Sequence, residues 1–190
     1  MLTSLRTEYT LRIQIEGILP TIWRLLKVTS DTKLPELHEH LQVTLGWSDY
    51  HLHAFIKGST FYGQPDKEFD DGMKDETNVR LSSLLKSVGD KVRYEYDFGD
   101  GWQHSVELTQ VSKINPDTDY PHCAGGLRAC PPEDVGGVGG YYDFLESMSN
   151  SKHPQHNECK EWFGGLYDPD LFAIDQVNSS LREGTGTFDE

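Results

Sequence analysis

Leu11, Ile13 and Ile15 alternate with Arg12, Gln14 and Glu16. That is the period of a half-buried strand. Pro20 ends it, and Ile22 to Val28 predicts a second strand, antiparallel to the first. The period then changes. Leu34, Leu37, Leu41 and Leu45 share one face of a helix, with Ser30 or Asp31 near its start, Pro35 in its first turn and Gly46 as its stop. His51 to Ile56 reads as a third strand whose apolar trio, Leu52, Ala54 and Ile56, is expected to face the core. Residues 66–76 form an acidic, solvated loop. A short helix over Leu81–Val88 follows. Lys91–Tyr96 and Trp102–Val111 then make the clearest hairpin, turning on Asp97-Phe98-Gly99-Asp100-Gly101. Residues 112–140 are loop-rich. Three helices are predicted after them: Tyr141–Met148, Gln155–Phe163, and one running from Asp168-Pro169 toward Leu181.

Strands cluster early and helices late. The fold class is therefore α+β: a mainly antiparallel sheet, an early helix packed on it, and a helical C-terminal part. A chain of 190 residues is expected to form one domain over residues 1–183, with a frayed tail over 184–190. Composition adds one bound. The net charge is −14, and residues 1–60 carry six basic and six acidic side chains, so the whole excess lies in residues 61–190. Such acidity argues against generic nucleic-acid binding. No stretch is long enough to span a bilayer, and no secretory leader is recognisable. Cys123, Cys130 and Cys159 are expected to be free thiols, which fits a cytoplasmic protein.

Candidate chemistry falls on ionisable residues within the motifs. His51 and His53, at i and i+2, could grip one divalent metal through their imidazoles. Asp97, Asp100 and His104 surround the hairpin turn and are further metal candidates, although Asp also makes ordinary turns and His104 shares a face with Trp102, Val106 and Leu108. Glu133 and Asp134, between Pro131-Pro132 and a glycine run, are the candidate catalytic acids or bases. No cofactor cradle is present: the glycines lack both the P-loop Lys-Ser/Thr and the Gly-x-Gly-x-x-Gly spacing. Arg24 is expected to pair with one of the carboxylates. Cys123, Cys130, His156 and Cys159 lack the spacing of a zinc site.

Several runs occur in a telling order. They are Pro20-Thr21-Ile22-Trp23-Arg24, Leu37-His38-Glu39-His40-Leu41-Gln42, and Gly46-Trp47 with His51-Leu52-His53-Ala54-Phe55. Tyr94-Glu95-Tyr96-Asp97-Phe98-Gly99-Asp100-Gly101-Trp102-Gln103-His104 and Cys130-Pro131-Pro132-Glu133-Asp134-Val135-Gly136-Gly137 follow. The last are Phe144 and Tyr167-Asp168-Pro169. In these the chain resembles the Ri-plasmid (pRiA4b) ORF-3-like family, often labelled TnpR-like, over roughly residues 5–183. The resemblance implies an α+β fold and no particular activity. The resolvase suggested by the TnpR label is not supported, because the chain has neither a nucleophilic-serine motif nor a basic helix-turn-helix tail. Three functions stand at this stage. The first is a non-catalytic interaction or accessory protein with a protein partner. The second is a metal-dependent hydrolase or nuclease using the His/Asp/Glu residues. The third is a DNA-associated partner of mobile-element proteins, contacting through Arg6, Arg12, Arg24 and Lys27.

Overall fold

The computed structural model describes residues 6–66 and 72–184. Its elements are β1 (Thr7–Ile15), β2 (Trp23–Thr29), α1 (Leu34–Leu45), β3 (His53–Lys57), β4 (Thr60–Gly63), β5 (Lys74–Asp75), α2 (Leu81–Leu84), β6 (Lys91–Tyr96), β7 (Trp102–Lys113), β8 (His122–Leu127), α3 (Gly137–Ser149), α4 (His156–Phe163) and α5 (Ile174–Glu183). The strands form one sheet in the order β5-β4-β3-β6-β7-β1-β2-β8. Among the described residues only the β4–β5 pair is parallel. The class is α+β, with an early helix and a helical C-terminal part.

One face of this sheet is the core. Along β7, residues 102–109 alternate between buried and half-buried. The buried set continues sideways through cross-strand pairs: His53 with Tyr96, Tyr96 with Trp102, Tyr94 with His104, and His104 with Ile15. Leu34, Leu37, Leu41 and Leu45 of α1 pack on this face. Tyr141 and Phe144 of α3 and Leu181 of α5 complete the cluster. α1 begins where Glu36 Oε2 accepts the Lys33 N–H at 2.9 Å. It ends at Gly46, whose φ of 81° only glycine takes cheaply and whose N–H returns to the Gln42 carbonyl.

Several expectations change. The start of α1 uses Lys33 and Glu36 rather than Ser30 or Asp31. β3 starts at His53, so His51 lies outside the strand and Leu52 is largely exposed. Both faces of β3 are covered: Ala54 and Ile56 are buried as expected, and so are His53 and Phe55 on the opposite face, where Phe55 joins the main core. α2 stops at Leu84, and α5 starts at Ile174, after a turn over residues 168–173. Strands β5 and β8 occupy segments read as loop, and β4 lies in a stretch to which no element was assigned. Of the acidic 66–76 segment, residues 67–71 lie outside the described residues, and Glu76 is buried rather than solvated. The tail from residue 185 on also lies outside them.

Candidate functional site

Three loops meet beyond the ends of α1, β6 and β8. They are residues 46–52, 97–101 and 130–137. Trp47 Nε1 donates to the Pro131 carbonyl at 2.9 Å. Ser48 N–H donates to Glu133 Oε2 at 2.8 Å, and the Tyr96 hydroxyl donates to Glu133 Oε1 at 2.5 Å. Burial and the Glu133 carboxylate push the Tyr96 phenol well above its usual range, so it stays a donor. Asp100 Oδ2 accepts the Gly136 N–H at 3.0 Å. Asp97 Oδ1 accepts the Gly99 and Asp100 N–H groups and closes the hairpin turn. At Gly137 an added Cβ would stand 2.4 Å from the Asp100 carbonyl oxygen, so this contact requires glycine. Most motif carboxylates are therefore spent on fastening loops.

What remains converges. His51 Nε2 lies 3.1 Å from Asp134 Oδ1 and 3.7 Å from Asp97 Oδ2. The three ligand atoms sit within 4.8 Å of one another. Asp97 and Asp134 both hold positive φ, 54° and 59°, a conformation that Asp tolerates better than most residues. Exposed Tyr50, Leu52 and Phe98 belong to the same loops, and the Asp97 N–H donates to the Leu52 carbonyl at 2.9 Å.

The other candidates lie elsewhere. His53 is in the core, its ring stacked on His38 at 3.5 Å, and its Nε2 reaches both oxygens of buried Glu76 at 3.0 and 3.1 Å. The paired-histidine grip is thus replaced. His51 joins two aspartates, and His53 joins a buried glutamate that lies in the segment read as a solvated loop. His38 Nε2–H donates to Asp49 Oδ1, and its Nδ1 accepts from the Tyr94 hydroxyl, both at 2.8 Å. Burial, then the neighbouring His53, lowers its pKa to about 3, so it is neutral. His104 is a core residue. Its Nδ1–H donates to the Tyr94 carbonyl at 3.1 Å, and burial lowers its pKa to about 4. Its Nε2 is buried without a hydrogen bond among the described residues, and the Trp47 ring stands edge-on to the imidazole at 5.2 Å.

Among the described residues Arg24 pairs with no carboxylate. Its five N–H groups donate to the carbonyls of Thr44, Trp23, Leu127 and Arg128 and to Cys130 Sγ, and Phe172 stacks on it at 3.9 Å. Arg6 pairs with Asp31, Lys27 with Glu8, and Arg12 lies over Trp23, so the four residues of a DNA-contact surface are engaged within the chain. The three cysteines are free and form no cluster with His156 among the described residues.

Beside Asp134 opens a groove of about 280 Å³ between α3 and α4. Asp134, Asp143, Phe144, Ser147, Cys159 and Trp162 line it among others. Sequence reading missed this groove. The Phe144 to Trp162 contact, ring centroids 5.8 Å apart, joins two helices that periodicity places but does not dock.

The plasmid pRiA4b ORF-3-like family model matches residues 7–176. The chain belongs to this family. This ORF-3-like chain is 35% identical over 175 residues to the uncharacterized protein y4hQ of Sinorhizobium fredii, spanning 91% of this chain and 90% of that protein. It also resembles the crystal structure of MM3350 from Methanosarcina mazei Go1, described as a protein of unknown function. The TM-score is 0.81 at 33% identity, covering 92% of this chain and 99% of the other. No helix among the described residues of this ORF-3-like chain is long and apolar enough to cross a membrane.

Proposed function

We propose that this ORF-3-like protein is a non-catalytic accessory protein, and that its α3–α4 groove receives a basic side chain from a protein partner. The observation that carries this reading is the lining of the groove. Two carboxylates, Asp134 and Asp143, share it with the half-exposed indole of Trp162. Carboxylates attract a cation, and an indole face binds one by cation–π attraction. At about 280 Å³ the groove falls just below the roughly 300–1,000 Å³ range of small-molecule pockets, a size for one side chain. No residue of α4 is buried, so an occupant could also cover a helix the fold leaves open. The net charge of −14 would draw a basic partner from a distance.

The hydrolase reading has less support. Of its two candidate bases, Glu133 spends Oε2 on Ser48 and Oε1 on Tyr96, and Asp134 stands against His51 at 3.1 Å.

The test is an NMR titration of isotope-labelled protein in EDTA and low salt, with capped trilysine against capped triglutamate. Trilysine should move the Trp162 indole N–H resonance, and Asp143→Asn should weaken that response several-fold. Equal responses to both peptides, or none at Trp162, would overturn the proposal.

A further inference from the structure

We infer that His51, Asp97 and Asp134 together bind one first-row divalent ion of the Mn²⁺-to-Zn²⁺ series, held between the three loops. Distance is the first argument. Bonds of about 2.0–2.2 Å from metal to nitrogen or oxygen place neighbouring ligand atoms roughly 3.0–3.5 Å apart. The Nε2 to Asp134 Oδ1 separation of 3.1 Å falls in that range, and the 3.7 Å to Asp97 Oδ2 needs only a few tenths of an ångström of closure.

The second argument is the state of the ligand atoms. His51 Nε2 is buried and has no hydrogen-bond partner among the described residues, although a carboxylate oxygen stands 3.1 Å away. That oxygen is off the line along which an N–H would donate. A protonated imidazole making a simple ion pair would align with it. An imidazole lone pair directed at an ion shared with the carboxylate has no such need. The Asp97 side chain is 10% exposed and divides its oxygens. Oδ1 holds the turn N–H groups, while Oδ2 accepts no hydrogen bond among the described residues and faces His51.

The donor set selects the ion. One imidazole and two carboxylates suit Mn²⁺ through Zn²⁺ better than Ca²⁺ or Mg²⁺, which prefer all-oxygen shells. Three protein ligands leave coordination positions open. Two aspartates balance a divalent charge, so the ion also removes the repulsion between them. Asp134 belongs to this site and to the groove, but the groove is tested in EDTA, so either idea can fail alone.

The experiment is calorimetric titration of Zn²⁺ and of Mn²⁺ into full-length protein, purified without a metal-affinity tag and stripped with EDTA. One equivalent should bind, with Mg²⁺ at least tenfold weaker. Asp134→Asn and His51→Asn should each weaken binding at least tenfold, while Asp117→Asn, at an exposed aspartate of another loop, should not. Asp134 is exposed, so its variant keeps the fold even if substitutions at Asp97 do not. Substoichiometric Mn²⁺ should broaden the amide signals around residues 51, 97 and 134. Binding unchanged in both variants, broadening centred elsewhere, or no binding at millimolar ion would each overturn the inference.

Discussion

Arg24 is 2% exposed and has no counter-anion among the described residues. Four carbonyls and a thiol sulfur take its five protons, and one of those carbonyls, Thr44, belongs to the last turn of α1, where the helix dipole is negative. Lysine has three donors and no planar fork. Arg24→Lys should therefore cost on the order of 3–5 kcal/mol, since hydrogen bonds to a charged group contribute about 1.5–3 kcal/mol each and do not add fully. Urea denaturation measures this, and a loss under about 1 kcal/mol would show that the clamp matters little. The sequence made Arg24 conspicuous but could not name its partners, because backbone carbonyls leave no signature in residue types. The buried histidines give a second prediction. Unfolded, His38 and His104 titrate near 6.5; folded, they stay neutral down to about 3 and about 4. Between those limits the unfolded chain binds more protons. Stability is therefore full above pH 6.5 and falls as the pH drops toward 4, by about 1.4 kcal/mol per pH unit for each such histidine. Their ring proton shifts should stay constant from pH 7.5 to 5; a midpoint above 6 for His104 would contradict this burial.

α1 was legible to the residue, because its leucine face, Pro35 and Gly46 all speak locally. β1, β2 and the β6–β7 hairpin were legible for the same reason. β8 was not. Its His-Cys-Ala-Gly-Gly-Leu run has no alternation, and it is a strand because β2 pairs with it and α5 packs on it. The start of α3 was missed through its glycines, which composition assigns to a loop. The structure separates their roles. A Cβ on Gly140 would stand 1.9 Å from the Val135 carbonyl oxygen, whereas one on Gly139 meets nothing within 4 Å. Gly139→Ala should thus stabilise the helix by about 0.5–1 kcal/mol. Gly140→Ala should destabilise by about 2–4 kcal/mol, through backbone displacement at the loop that holds Glu133 and Asp134. Thermal melts of the pair decide it, at about 2–4 °C per kcal/mol. Equal melting temperatures would mean that the α3 start is not docked as described.

For the molecule as a whole, the fold class and the motif loops could be read from the sequence, but which loop residues meet could not. His51 and Asp134 are 83 positions apart, and only tertiary closure brings them to 3.1 Å. The same separation in sequence governs the centre of the sheet. β1 pairs on one side with β2, its immediate successor, and on the other with β7, which begins at Trp102. During synthesis the first hairpin can close at once, but its inner edge must wait for β7, roughly eighty residues further on. At about 5–20 residues per second that delay is roughly 5–20 s. Through that interval the β1 edge, carrying Leu11, Ile13 and Ile15, is an open template for pairing with another nascent chain. The production of this protein should therefore depend on how quickly its middle third is translated, and on chaperones that shield one early strand.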